Sequence, residues 1–320
     1  MVNATREVTV AGLEAWRVER KSSSKAHQES NVVLYDAAAG EIFVGDVFQD
    51  PERAKGGRPF DAGRDLPDME AALRELFGLP VRVELQSPPR GALRPLAVSV
   101  REDKDGNAFA TRAGFVSSDG SALMLGEFRP LSESPTAFRE KLLGQSAGVR
   151  VEPGRFTVTE FMDFQCDRCR VRTPDVRRVV LEKGGTVEIR FLPLVKMHEW
   201  AFAAAESAAA LAGVKPELYR RYEESVFARA EGMSIAAARE LASYIADAAG
   251  VREAFAAEIA SGRARGRVLR DIGLAMRLGI VATPSFLYRG TLLPGERGLI
   301  EDYLWQSLSA PARATPAPAQ

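Results

Sequence analysis

Apolar residues follow two different periods along this chain, and each period predicts its own kind of structure. In the first 130 residues, short apolar runs, several alternating with polar positions at period two, are typical of half-buried strands. These runs are residues 32–35, 42–48, 81–85, 96–100, 114–116 and 123–127. One stripe with helical spacing lies among them, opened by residues 65–68 and ended by Gly78. The first 130 residues are therefore predicted to form an α+β domain.

Helical spacing dominates a second region, residues 196–278. Its apolar residues recur at separations of three, four or seven positions. They are Tyr219, Tyr222 and Val226; Leu241 and Ile245; Phe255 and Ile259; and Val268 and Ile272. Ser234 suits the N-cap of a helix, and Gly279 suits a C-terminal stop. This region is predicted to be helical throughout.

Three segments fit neither period. Residues 52–64 are rich in glycine, proline and charge, which predicts an exposed loop. Residues 131–148 are predicted to be a linker containing a short helix, with Ser134 as its cap and Pro135 as its first residue. Residues 310–320 are rich in proline and alanine, which predicts a disordered tail.

Length and composition narrow the class of protein. A chain of 320 residues favours two domains, predicted here as residues 1–130 and 149–309. The 43 Lys and Arg balance 43 Asp and Glu, so the chain lacks the basic surface that nucleic-acid binding requires. No apolar run reaches about 18 residues, so no membrane span is predicted. The first six residues lack the apolar core of a signal peptide; a native full-length chain is then expected in the cytoplasm, whereas a processed exported chain would look the same.

The sequence contains two cysteines, Cys166 and Cys169, and they follow an apolar run directly. A zinc site needs four ligands, and the only histidines are His27 and His198, which lie far apart. No metal is therefore predicted. A purely structural disulfide is unfavourable too, because closing so short a loop removes little entropy from the unfolded chain. The Cys-x-x-Cys pair predicts thiol–disulfide chemistry that needs no further cofactor.

Cys166 falls where the predicted strand gives way to a helix. Unpaired N–H groups and the positive end of the helix dipole favour a thiolate there, which lowers a cysteine pKa from about 8.5 to between roughly 3.5 and 7.5. Cys169, nearly one turn further on, can attack a mixed disulfide formed at Cys166. Of the two residues between them, Asp167 opposes the thiolate and Arg168 favours it. The sequence does not fix whether their combined effect raises or lowers the pKa of Cys166.

A second candidate element lies more than a hundred residues downstream. Thr283 and Pro284 precede the apolar run 285–288. Proline lacks the N–H that a central strand needs, so Pro284 predicts a strand start or a turn. Residues 289–290 then separate this run from residues 292–293, which predicts a hairpin.

Together, these motifs resemble the catalytic domain of DsbA-like thiol–disulfide oxidoreductases. The likeness covers residues 149–309 and rests on residues 160–169, the strand 187–193 and the hairpin 281–293. It implies an α/β thioredoxin fold, with the helical region 196–278 as an inserted subdomain.

The resemblance also implies roles for single residues. Cys166 would be the exposed nucleophile and Cys169 the buried resolving cysteine. Pro284 would be cis and lie beside the disulfide, and the backbone of Thr283 would pair with a bound peptide. The implied partners are cysteine-containing protein substrates and a redox partner that reoxidises or reduces the disulfide.

Two further side chains match the family by position. Glu160, six residues before Cys166, matches a buried acid that the family uses in proton transfer; the alternative is a strand-end carboxylate in water. The lysine that partners this acid in some members is missing, since the charges on the following strand are Glu188 and Arg190. His198 matches a histidine often found above the nucleophile; the alternative is a helix-entry histidine with a polar partner.

The first domain carries a second likeness. Its helix-then-sheet order, and the hairpin that ends in Gly126 and Glu127, are similar to the cystatin-like dimerisation domain of DsbC/DsbG-type disulfide isomerases. Such a domain implies a homodimer, and an exposed strand edge at residues 123–126 could form one by pairing with its twin.

These observations favour a disulfide isomerase whose extra domain dimerises and holds misfolded clients. One alternative is a DsbA-like dithiol oxidase, which the catalytic half supports. An alternative of another class is a holdase-like, client-binding module in which the disulfide is structural. Because the family works mostly in oxidising envelope compartments, a periplasmic or otherwise exported location is expected.

Overall fold

A computed structural model describes residues 2–21, 28–50, 55, 58–77, 80–101, 108–195 and 197–293. The chain divides into two compact units. The first comprises residues 1–143 with 269–281, and the second comprises residues 144–268 with 282–320. Among the described residues, no helix combines the length and the apolar character that crossing a membrane requires.

An eight-stranded antiparallel sheet forms the first unit, in the order β1-β2-β3-β4-β8-β7-β6-β5. Its strands are β1 (Val2–Val10), β2 (Leu13–Lys21), β3 (Gln28–Asp36), β4 (Glu41–Gln49), β5 (Val81–Leu85), β6 (Leu93–Arg101), β7 (Ala108–Ser117) and β8 (Ala122–Pro130). Each apolar run that predicted a strand lies in one of them, and β1 and β2 are additional. Successive side chains of a strand point to opposite faces of a sheet, and both faces of this sheet bury apolar side chains. One cluster surrounds Phe43 and Met124, and the other surrounds Val83 and Leu125.

The edge predicted at residues 123–126 is wrong. This segment belongs to β8, which pairs with β4 on one side and β7 on the other, so it lies inside the sheet. The sheet ends instead at β1 and β5. Sequence alternation identifies a strand but not its neighbours, which only the complete topology decides.

Helix α1 (Ala62–Phe77) begins earlier than residues 65–68, where the sequence predicted it. The reason is capping by Asp61, whose Oδ1 accepts the N–H of Arg64 at 3.0 Å. In return, Asp65 Oδ2 accepts the N–H of Asp61 at 2.7 Å. The short helix predicted after the sheet is present as α2 (Pro135–Leu143), and Ser134 Oγ accepts the N–H of Ala137 at 3.1 Å.

The second unit contains a four-stranded sheet in the order β10-β9-β11-β12. The strands are β9 (Thr157–Met162), β10 (Thr186–Phe191), β11 (Ser285–Tyr288) and β12 (Thr291–Leu293). β9 and β10 are parallel and are joined by helix α3 (Asp167–Glu182), while β11 runs antiparallel to β9. Between β10 and β11 the described residues form five helices: α4 (Ala201–Val214), α5 (Pro216–Ala228), α6 (Ile235–Ala248), α7 (Arg252–Ala260) and α8 (Arg263–Leu278). Residues 269–278 of α8 belong to the first unit. The predicted thioredoxin fold with a helical insertion is confirmed.

The register of this sheet decides which side chains share a face. Glu160 lies opposite Ile189 of β10 on one side and Phe286 of β11 on the other, so these three side chains share a face of the sheet. Arg190 lies opposite Phe161 and therefore points to the other face. The two charged residues of β10 are thus separated from Glu160 by the sheet.

Candidate active site

Cys166 occupies the N-cap of α3, with extended backbone angles of φ −78° and ψ 115°. Its carbonyl accepts the N–H of Arg170 at 3.1 Å, which starts the helix. Its Sγ lies 3.4 Å from the carbonyl oxygen of Thr283, to which the thiol can donate. The Thr283–Pro284 peptide bond is cis. The hairpin at the end of the second unit therefore lies directly against the first cysteine.

The surroundings of Cys166 favour its thiolate. Its pKa falls from the usual 9.0 to about 5, and the largest cause is a hydrogen bond from the thiol of Cys169. Partial burial opposes the change, while the backbone N–H groups of Arg168 and Cys169 support it. These two N–H groups belong to the first turn of α3, where a helix has no internal acceptors for them. Cys166 is therefore ionised at neutral pH.

Cys169 has the opposite environment. Its side chain is fully buried, and burial together with its interaction with Cys166 raises its pKa. The negative charge of Glu160 adds to this increase. The backbone N–H of Asp163 donates to Cys169 Sγ at 3.5 Å. Cys169 is therefore a protonated thiol held next to a thiolate, and both cysteines are free.

Glu160 is the titratable side chain on the buried face of β9. It is 0% exposed, and burial raises its pKa to about 8. Thr173 Oγ1 donates to Glu160 Oε1, while Glu160 Oε2 has no hydrogen-bond partner among the residues that the structure describes. The alternative of a carboxylate in water is wrong. Glu160 is a buried acid that is mostly protonated at neutral pH, and its ionised form raises the pKa of Cys169.

A cation that sequence reasoning missed lies on the same helix. Arg177 of α3 is 7% exposed and forms two hydrogen bonds with Glu223 of α5, at 2.5 Å and 2.9 Å. Tyr219 Oη donates to Glu223 Oε1 at 2.5 Å. The charge of Arg177 lowers the pKa of Glu160, whereas that of Glu223 raises it, both by less than burial does. A cation that acts on Glu160 thus comes from helix α3 and not from strand β10.

The charges on β10 form a separate cluster. Glu188 accepts from Arg190 Nη2 at 2.7 Å and from Arg150 Nε at 2.5 Å. Arg190 also donates to Ser146 Oγ at 3.0 Å. This cluster lies on the face away from Glu160, so it does not replace the missing lysine.

His198 is connected to the cysteines through Asp163. The carboxylate of Asp163 is buried, and its Oδ2 lies 2.7 Å from His198 Nδ1 and 2.7 Å from the N–H of Leu194. Its Oδ1 accepts the N–H of Gln165 at 2.7 Å. The carbonyl of Asp163 also accepts the N–H of Cys166 at 3.2 Å. His198 therefore has the polar partner that the plainer interpretation required, and this partner also positions the cysteine loop.

A second hydrogen bond joins the segment before Cys166 to the start of α4. Gln165 Oε1 accepts the N–H of Trp200 at 2.9 Å, and the indole of Trp200 is buried. Phe164, one position earlier, packs against Phe191 and three aromatic rings of α5. Phe164, two positions before Cys166, is thus anchored in the core. This packing fixes the approach of the chain to Cys166.

Asp167 and Arg168 take no part in this buried arrangement. Both are exposed, and the carboxylate of Asp167 lies 3.2 Å from Arg170 Nη2. Within the described residues, no group of three or more His, Cys, Asp and Glu side chains is placed to hold a metal ion.

Residues 154–298 match the family model described as Thioredoxin. This part of the chain is similar to that family. Among solved structures, similarity is found to the catalytic domain of Proteus mirabilis ScsC, with 16% identity over 55% of this chain and 98% of that one and a TM-score of 0.47. The thiol–disulfide exchange protein α-DsbA2 of Wolbachia pipientis shows 17% identity over 55% and 98%, with a TM-score of 0.44. BdbD of Bacillus subtilis shows 16% identity over 51% and 98%, with a TM-score of 0.39.

A curated relative is much longer. The Na(+)/H(+) antiporter NhaA 3 of Salinispora tropica is 28% identical over 173 residues, which are 49% of this chain and 26% of the antiporter. The chain therefore spans about a quarter of the length of that relative.

Within the thioredoxin domain, the structure brings together Cys166, Cys169, Glu160 and the carbonyl of Thr283. His198 joins them only through Asp163. Sequence reasoning missed Asp163, although its place three residues before the first cysteine was visible. It also missed the partners of Glu160, which come from α3 and α5 and carry no local motif.

Proposed function

We propose that the chain is a thiol–disulfide oxidoreductase that acts on protein disulfides. The observation that supports this most is the pairing of an accessible thiolate with a buried thiol. Cys166 has a pKa of about 5 at the start of α3, and Cys169 lies one turn further on with a raised pKa. This difference assigns the nucleophile and the resolving group to different atoms.

The exchange follows from these two protonation states. The Cys166 thiolate attacks one sulfur of a substrate disulfide, forms a mixed disulfide and releases the other substrate sulfur as a thiolate. Cys169 then loses its proton and attacks Cys166 Sγ, which releases the second substrate thiolate and leaves a Cys166–Cys169 disulfide. The substrate gains two electrons and the protein loses two. The same steps in reverse oxidise a substrate dithiol.

Glu160 is suited to accept the proton of Cys169 in this sequence. With a pKa of about 8, a fraction of its carboxyl is ionised at neutral pH, and burial keeps it out of contact with bulk water. A catalytic base works best when its pKa lies near the operating pH. Glu160 fits this condition better than an exposed carboxylate would.

The first test measures the two thiols separately. In reduced protein, iodoacetamide is expected to alkylate Cys166 with a rate that rises through pH 5, while Cys169 stays protected. Peptide mass spectrometry after timed labelling gives both rates.

A matched pair of variants sharpens this test. Cys169→Ala removes the hydrogen bond that contributes most to the low pKa of Cys166, so the midpoint should move upward. Cys169→Ser keeps an O–H donor and should give the smaller change. Equal labelling of both cysteines at pH 5 would overturn the assignment of roles.

For the direction of exchange, we propose a disulfide isomerase that works as a homodimer in an oxidising, exported compartment. The support is the additional N-terminal sheet, which offers a surface beyond the catalytic domain. If two copies of the chain dimerised by pairing sheet edges, the pairing strand would be β1 or β5, which end the sheet. Part of the β5 edge is already occupied, since Glu70 Oε1 accepts the N–H of Val83 at 2.9 Å.

Deleting the residues before about Ser132 is expected to give a monomer that keeps thiol–disulfide exchange and loses most isomerase activity. Light scattering reports the mass, and recovery of a scrambled multi-disulfide substrate reports isomerisation. Circular dichroism on the truncated protein controls for folding. A full-length monomer with no activity on the scrambled substrate would instead support a dithiol oxidase.

The oxidase remains the second candidate for one specific reason. A thiolate with a pKa of about 5 is a good leaving group, and it stabilises the dithiol form of the protein relative to its disulfide. Such a disulfide tends to oxidise other dithiols. Measuring the reduction potential against glutathione separates the two directions.

A further inference from the structure

Helix α5 reaches the buried acid of the site through one ion pair. Arg177 of α3 donates to both oxygens of Glu223, and Tyr219 donates to the same carboxylate. The two charged side chains are 7% and 2% exposed, and Tyr219 is 0% exposed. A bidentate pair in such surroundings has a fixed geometry, because neither partner can turn to water.

The same face of α3 carries the contact to Glu160. Thr173, one helical turn before Arg177, donates to Glu160 Oε1. Arg177 and Glu223 act on Glu160 electrostatically with opposite signs. Tyr219 is uncharged at neutral pH, because burial raises its pKa well above the usual value. Because Glu223 is bound by Arg177, the two opposite effects act on Glu160 together.

The neighbours of Glu160 across the sheet add no charge to the opposite effects of Arg177 and Glu223. Across the sheet its neighbours are Ile189 and Phe286, both apolar. Two other titratable groups interact with it among the described residues: Tyr219 and Cys169, the proposed source of the proton. Glu188 and Arg190 lie on the opposite face and bind each other.

We propose that the Arg177–Glu223 pair is a positioning pair that sets how much negative charge Glu160 carries at neutral pH. Helix α5 of the helical insertion thereby controls the group that accepts the proton of Cys169. This inference rests on the proposed exchange activity. In the intact pair, Glu223 opposes the charge of Arg177, which would otherwise hold Glu160 as a carboxylate. Glu160 is therefore ionised only in part at neutral pH, and this ionised fraction accepts the proton of Cys169.

Three variants test how the charges of Arg177 and Glu223 act on Glu160. Glu223→Gln leaves the Arg177 charge uncompensated, so the titration midpoint of Glu160 should fall by about one pH unit or more. Arg177→Met leaves the Glu223 charge and should raise the midpoint. The double variant, Arg177→Met with Glu223→Gln, removes both charges and should return it close to the wild-type value.

The direct measurement is the infrared absorption of the protonated carboxyl as a function of pH, assigned to Glu160 by its loss in Glu160→Gln. It needs no turnover. The kinetic measurement is the rate at which a preformed mixed disulfide at Cys166 is resolved. The pH midpoint of that rate should shift in the same direction as the infrared midpoint in each variant.

A control and a milder variant keep the test decisive. Glu258→Gln breaks another ion pair of the helical insertion, with Arg263 at 2.9 Å, and should leave Glu160 unchanged. If Glu223→Gln does not fold, Glu223→Asp keeps the charge but draws the carboxylate back, and should give a smaller downward shift.

The outcomes separate the two proposals. An infrared midpoint that stays constant in the folded single variants overturns the role of the pair and leaves the chemistry of Cys166 untouched. Loss of the proposed function would appear as a wild-type protein that forms no mixed disulfide, while Glu160 still titrates. Midpoints that shift in opposite directions and return in the double variant support the inference.

Discussion

Cys166→Ser is expected to lower the rate of thiol–disulfide exchange by about a thousandfold or more, since a serine hydroxyl cannot replace a thiolate as nucleophile or form a disulfide. The change is nearly isosteric, and the extended backbone at the N-cap suits serine as well as cysteine. Folding should therefore be preserved. The assay is reduction of a protein disulfide, followed by mass spectrometry of the products.

Cys169→Ala is the matched control, and it should fail at a different step. Cys166 still attacks, but no resolving thiol follows, so mixed disulfides with the substrate should accumulate. A holdase-like module with a structural disulfide would behave otherwise: both variants would bind clients as well as the wild type does, and the wild type would show no exchange. That result would eliminate the enzyme hypothesis.

Glu160→Gln is expected to make the protein more stable at alkaline pH. In the unfolded chain the carboxyl has its usual pKa near 4.5, and in the folded protein burial raises this to about 8. Below the first value both states are protonated. Between the two values the folded state binds more protons, so the free energy of unfolding falls as pH rises.

The size of this effect follows from the pH range between the unfolded and folded pKa values of Glu160. Each unit of difference between the folded and unfolded pKa of Glu160 contributes roughly 1.4 kcal/mol to the free energy of unfolding. By pH 8 the wild type should therefore have lost several kcal/mol of this contribution. Glutamine has no proton to lose and should lack this decline. Denaturant unfolding at pH 5 and pH 9 measures it, on the disulfide form so that neither thiol titrates.

An exposed glutamate provides the reference for this experiment. Glu182, 58% exposed and paired with Arg178, should give no comparable change when replaced by glutamine. If wild type and Glu160→Gln lost stability in parallel from pH 5 to pH 9, Glu160 would not hold its proton in the folded state.

Local patterns determined a large part of this protein. Period-two runs placed strands β3 to β8, and helical spacing placed the insertion, because both patterns depend on residues only a few positions apart. The position of Cys166 at a helix start and the spacing to Cys169 are local in the same sense. The resemblance built on these motifs anticipated the thioredoxin fold.

The tertiary structure decided what those residues can do. The protonation of Glu160 depends on complete burial and on charges from α3 and α5, and Glu223 lies 63 positions after Glu160 in the chain. Asp163 and His198 meet across 35 positions. The interior position of β8 required the whole sheet order. A sequence pattern reports which side of an element is apolar, whereas burial and electrostatic interaction depend on what packs against that side, and chain segments far apart in sequence supply it.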